Sequence, residues 1–122
     1  MRNVYYSDLS EVVDAISDRE YQNASWFGSN LNLMDSPGEQ IHRLLSGDKL
    51  DNIIREQRFN LDARIYDLLS QLKAAILAYQ AEVGLDPDPR VTLDHPKWEA
   101  IRVIAREITS LLPDEPPTPW IP

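Results

Sequence analysis

The chain has no cysteine, two histidines and four glycines among its 122 residues. Each shortage closes off a chemistry. Without cysteine there is no disulfide, no thiolate nucleophile and no cysteine-based zinc site. His42 and His95 are far apart, and neither has a second histidine three or four residues away, so no metal pair is expected. Gly28, Gly38, Gly47 and Gly84 are too scattered to build a phosphate-cradling loop. Asp86, Asp88 and Asp94 bring a calcium loop to mind, but its turn glycine is missing and Pro87 and Pro89 intervene. No serine sits in a nucleophile motif. The expectation is a protein without metal, cofactor or catalytic activity.

Positive charge is also short. Twelve Lys and Arg stand against twenty Asp and Glu, a formal net charge of −8. Such a surface is repelled by nucleic-acid phosphate and by anionic lipid, so neither is an expected partner. No apolar run approaches the roughly 18–20 residues that cross a bilayer. The opening residues, Met1 to Asp8, lack the basic start and apolar stretch of a secretory signal. A cytoplasmic location is expected.

What remains is helical periodicity. The length fits one domain, with residues 1–112 as the body and 113–122 as an extended, proline-rich tail in which Trp120 and Ile121 could still tuck against the body. Leu9, Val12, Val13 and Ile16 predict a helix over about 8–18, capped by Ser7. Residues 19–35 show no period and read as a structured loop dropping aromatics onto the core. Adjacent Trp26 and Phe27 there are open to two readings, core packing or interface anchor. Ser36-Pro37-Gly38-Glu39 combines a cap, a first-turn proline and a capping-box Glu, and predicts a helix ending near Gly47. Asp48 can cap a short helix bearing Leu50, Ile53 and Ile54, with Phe59 plugging the next corner.

Leu61, Ile65, Leu68, Leu72, Ile76, Tyr79 and Val83 form one long stripe, widened by Leu69, Ala75 and Leu77. They predict a central helix over 61–83, capped by Asn60, stopped by Gly84 and acting as the spine of the fold. Two close prolines predict an extended connector over 84–95. A last helix over 96–112, capped by Asp94 or His95, buries Trp98, Ile101, Ile104 or Ala105, Ile108, and Leu111 or Leu112. The fold expected is all-α, four or five helices around the long one. Its core is Leu9, Val13, Ile16, Leu44, Ile53, Ile65, Leu68, Leu72, Ile76, Tyr79, Trp98, Ile101, Ile104 and Ile108.

The acids are uneven. Residues 1–35 carry six acids and two bases, whereas residues 36–83 are nearly balanced. Glu11, Asp14 and Asp18 recur at helical spacing opposite the apolar stripe of the first helix. An acidic stripe is either a solvated face or a contact surface. As a contact surface it comprises Glu11, Asp14, Asp18, Glu20, Asp35 and Glu39, and it suits a basic protein partner.

Three stretches add a resemblance: Glu20 to Gly28 (EYQNASWFG), Ser36 to Glu39 (SPGE) and Asp94 to Ile101 (DHPKWEAI). In this order, with the Leu-rich helix between the second and third, the chain resembles small bacterial immunity proteins encoded beside contact-dependent growth inhibition toxins. The resemblance implies a cytosolic helical protein, a monomer in a one-to-one complex, that binds and blocks the toxic domain of its cognate effector. Trp26, Phe27, Pro96 and Trp98 would be shared scaffold, and no toxin-binding residue is carried over. A basic, nuclease-type toxin domain is the expected partner. A secretion chaperone or adaptor for a basic protein is the rival reading, and a small acid–base enzyme the third.

Overall fold

A computed structural model of the chain describes residues 4–27 and 35–117. Among them there is no strand. Seven helices follow in order: α1 (Val4–Ser17), α2 (Arg19–Ser25), α3 (Pro37–Leu45), α4 (Lys49–Glu56), α5 (Ala63–Val83), α6 (Pro89–Thr92) and α7 (Pro96–Leu111). A 3₁₀ turn, Arg58–Asn60, joins α4 to α5. The all-α expectation holds. The long helix is α5, as expected, but the described residues form seven helices and not four or five, and α7 shares the centre, packing on α1 on one side and on α5 on the other. α3 packs against α1, and α4 reaches both α3 and α5.

α1 starts earlier than its Ser7 cap predicted. Tyr6 is buried and extends the inward stripe of Leu9, Val12, Val13 and Ile16 by one step. Burying an aromatic outweighs a cap worth about 1 kcal/mol. The helix stops at Ser17, whose Oγ donates to the Asp14 carbonyl. Asp18 is then extended and restarts the helix as the cap of α2, accepting the Tyr21 N–H at 3.0 Å. Residues 19–25 are therefore helical, not a loop. The period was hidden because the inward positions are polar: Gln22 and Ser25 are fully buried. Leu31, Leu33, Met34 and Gly28 lie outside the described residues, as do Trp120 and Ile121.

α3 starts as expected, with Ser36 Oγ accepting the Glu39 N–H at 3.0 Å and Pro37 in the first turn. Gly38 permits a close approach there. A Cβ at this position would sit 2.6 Å from Asp86 Oδ1, so the connector after α5 lies directly on the start of α3. Asp48 precedes α4 but makes no capping hydrogen bond.

The corner after α4 is tight. Gln57, Phe59 and Asn60 all have positive φ, at 49°, 73° and 52°. Phe59 plugs it, buried and edge-on to Tyr6 with ring centroids 5.3 Å apart. The Tyr66 hydroxyl clamps it, donating to the Arg58 carbonyl and accepting the Leu61 N–H at 3.0 Å. With Asn60 used in this turn, Asp62 caps α5 instead, accepting from the Arg64 N–H. Gly84 ends α5 at φ 102°, where a side chain would be strained.

The connector is not extended throughout. Asp88 and Pro89 open the single turn α6, because proline suits a first helical turn even where it would break a later one. α6 seals the end of the core, with Thr92 buried and its Oγ1 2.8 Å from the Tyr79 hydroxyl. His95 caps α7 through Nδ1, which accepts the Lys97 N–H, and its ring packs edge-on to Tyr79 at 4.9 Å.

Of the expected core, thirteen positions are buried and Ile104 is only half-buried; Ala105 takes the inward place. Trp98 lies at the centre, near Trp26 and Tyr79 with centroids 5.9 and 5.8 Å away. Trp26 is therefore core, whereas Phe27 is 42% exposed. Leu77 also faces out. After α7 the chain turns back on α1, and the Pro113 carbonyl accepts from the Tyr6 hydroxyl.

Candidate functional site

The outward face of α1 carries Glu11 and Asp14, and Asp18 follows at the α1–α2 junction. With Ala15, Tyr21 of α2 and Arg43 of α3 they line one shallow, open groove. Half of the six-residue set read from the sequence therefore does come together. Asp35 sits behind this groove, half-buried. Its Oδ2 accepts from the Tyr21 hydroxyl at 2.9 Å and from Gln40 Nε2 at 3.3 Å, and its Oδ1 from the Ser36 N–H. Glu39 lines a neighbouring depression with Ser36, Gly38, His42, Leu85 and Asp86; Arg43 borders both. Glu20 is exposed on α2 but lines neither.

Two of the six acids have local duties as well. Asp18 caps α2, and Asp35 anchors Tyr21. The Tyr21 hydroxyl titrates above its ordinary 10.0, first because of burial, then because of its hydrogen bond to Asp35 and that group's charge. It stays a neutral donor at the groove's edge.

Few described bases lie at the groove. Apart from Arg43 and Arg90, every described Lys and Arg pairs with a carboxylate. These pairs tie helices together elsewhere: Lys49–Asp8, Lys73–Asp51, Arg64–Glu107 and Lys97–Glu82. Among the described residues no ion pair engages Asp14, Asp18, Glu20, Asp35 or Glu39. Among the described residues Arg43 is the one base lining the groove, exposed and without an ion pair. Among the described residues Asp48, Asp62, Asp67, Asp86, Asp88, Asp114 and Glu115 are also without an ion pair, so what distinguishes the α1–α2–α3 side is that Glu11, Asp14 and Asp18 line one groove with a single base, Arg43.

A buried polar chain fixes the helices that shape the groove. Arg102 of α7 is fully buried; its Nε donates to Gln22 Oε1 at 2.8 Å, one terminal nitrogen to Glu99 at 2.8 Å, and the other to the Leu93 carbonyl at 2.8 Å. Gln22 Oε1 also accepts from Trp98 Nε1 at 3.3 Å, while its Nε2 donates to the Ala15 and Ile16 carbonyls. Gln40 is buried beside it and passes the chain on to Asp35. Satisfied on all sides, such a network specifies one packing. Burial lowers the Arg102 pKa, and Glu99 opposes that shift.

Sequence reading missed Tyr21, Arg43 and this network. Gln22, Gln40 and Arg102 carry no apolar signal, although each occupies an inward helical phase. Among the described residues there is no cluster of three or more metal-ligating side chains, and no helix is long and apolar enough to cross a membrane. Comparison with protein families, curated proteins and solved structures found no match. The function must be argued from the surface itself.

Proposed function

We propose that this chain is a non-enzymatic immunity or inhibitor protein, acting in the cytosol, that neutralises a cognate bacterial toxin domain by covering a basic surface on it. One observation carries the reading. Glu11, Asp14 and Asp18 line one groove with a single base, Arg43, while the other described bases except Arg90 are held in ion pairs. A partner supplying Lys and Arg would complete that side.

The chemistry required is modest. Unpaired exposed carboxylates raise the local concentration of a basic partner and can lift association above the roughly 10⁵–10⁶ M⁻¹s⁻¹ of uncharged docking. Their desolvation cost on docking is small as long as they stay hydrated at the rim of the contact. Nuclease-type toxins present basic surfaces to phosphate, so an acidic inhibitor meets them face to face without mimicking the substrate. The resemblance of the Trp26, Ser36 and Trp98 stretches to immunity proteins points the same way.

The test is co-expression with the product of the adjacent toxin-like gene. A stable complex in which toxin turnover is suppressed supports the reading. A complex in which turnover continues assigns the protein to delivery instead, as an adaptor. No complex removes both.

A further inference from the structure

Arg43 of α3 sits where three depressions meet. It lines the acidic groove with Glu11, Asp14 and Asp18, and the neighbouring depression with Glu39, His42 and Asp86. It also edges a crevice between α1, α3 and α4 walled by Leu9, Val12, Leu44, Leu50 and Ile53. Asp8 and Lys49, at the same crevice, are held by each other at 3.3 Å. Arg43 is exposed, and among the described residues it makes no ion pair, although acids flank it from α1, α3 and the connector after α5.

We infer that Arg43 is the central contact of this surface, and that it pairs with a carboxylate of the partner that is itself flanked by lysines and arginines. This rests on the proposed function, in that the partner is a basic protein. The surroundings select the ligand. Glu11, Asp14, Asp18, Glu39 and Asp86 repel a doubly charged phosphate, whereas a carboxylate carries one charge and offers two oxygens that match the guanidinium fork. A base ringed by acids is the complement of an acid ringed by bases, so each ring meets its opposite when the centres pair. The apolar crevice on one side of Arg43 limits water there once the surface is covered, and a charge-assisted pair strengthens as water leaves. Arginine at the centre of a contact, bordered by weaker ones, is a common carrier of binding energy.

Charge alone predicts the opposite role. A lone base in an acidic groove weakens the pull on a basic partner, and removing it would only help.

Stopped-flow association and dissociation of the full chain with the product of the adjacent toxin-like gene separate the two. Arg43→Met keeps the stem and removes the charge, and because Arg43 is exposed the helical circular dichroism stays unchanged. The expected result is dissociation faster by about tenfold or more, with association slightly quicker because the chain is more negative. Arg43→Glu loses the complex, and exchanging one surface Asp or Glu of the toxin for Arg restores it. Unchanged dissociation for Arg43→Met overturns the inference, and Asp14→Lys still slowing association would then leave the acidic surface as the binding site. Failure of every such toxin exchange to rescue Arg43→Glu overturns it too, because the ligand is then not a carboxylate. A toxin that forms no complex removes the proposed function and this contact together.

Discussion

Gln22 on α2 and Arg102 on α7, eighty positions apart in sequence, meet in the interior with Arg102 Nε donating to Gln22 Oε1 at 2.8 Å. The contact joins α7 to the helices that shape the acidic groove. Gln22→Leu strands a buried guanidinium nitrogen and the Trp98 N–H, and should cost about 3 kcal/mol in urea unfolding. Arg102→Met should cost a comparable amount. The double variant should cost clearly less than both together, since the two orphaned groups are removed as a pair. Strict additivity would mean that the contact is incidental.

Glu99 gives the molecule an acid-side sensitivity. Its hydrogen bond to Arg102 holds the carboxyl below its ordinary 4.5; burial opposes this, and the bond to Arg106 and both guanidinium charges assist. A carboxyl held down in the folded state stabilises it above the unfolded value. That contribution fades as pH falls from 4.5 toward the lower native value. Thermal melts across this window should show a fall in Tm, and Glu99→Gln should flatten it.

At the alkaline end the responsive group is Tyr6. Burial, then the carboxylates of Asp114 and Glu115, push its hydroxyl up to about 12 from 10.0. A group whose folded value is raised stabilises the fold in full below its unfolded value, and loses this as pH climbs through the folded one. Near-ultraviolet absorbance should therefore show one tyrosine ionising last, and stability should decline between pH 10 and about 12. Tyr6→Phe should remove both the late phase and its share of that decline.

The corner between α4 and α5 stores backbone strain at Gln57, a left-handed residue at the end of α4. Glycine is the favoured residue in that conformation. Gln57→Gly should raise unfolding stability by about 0.5–1 kcal/mol, because the left-handed cost to a side-chain-bearing residue exceeds the entropy cost of glycine. The same change at Gln80, inside α5, should instead destabilise by a similar amount.

For the groove, Asp14→Lys is the cleaner probe. Asp18 also caps α2, so reversing it confuses binding with a folding loss of about 1 kcal/mol. Stopped-flow association with a basic toxin domain should slow for Asp14→Lys, and the dependence of the rate on salt should flatten. An unchanged on-rate would take this surface out of the binding reaction.

Much of the fold was legible wherever apolar residues recur. The stripes of α1, α5 and α7 and the Ser36 cap located four helices. α2 was invisible because it turns Gln22 and Ser25 inward, so hydrophobic period carries no trace of it. Asn60 gave way to Asp62 as a cap because a positive φ at Asn60 depends on how Phe59 and Tyr66 pack, which no local window reports. In the groove, Glu11, Asp14 and Asp18 were legible from spacing on one helix. Tyr21 and Arg43 were not, since each arrives from a different helix and only tertiary packing sets them side by side.

The bond from Tyr6 to the Pro113 carbonyl means that the first helix begins where the last one hands over to the tail. Both ends of the helical body share one corner. Fluorophores attached at those two ends would sit within energy-transfer range while α1 stays docked on α7, and would separate as soon as it peels away. The molecule thus carries a built-in place to read its own unzipping.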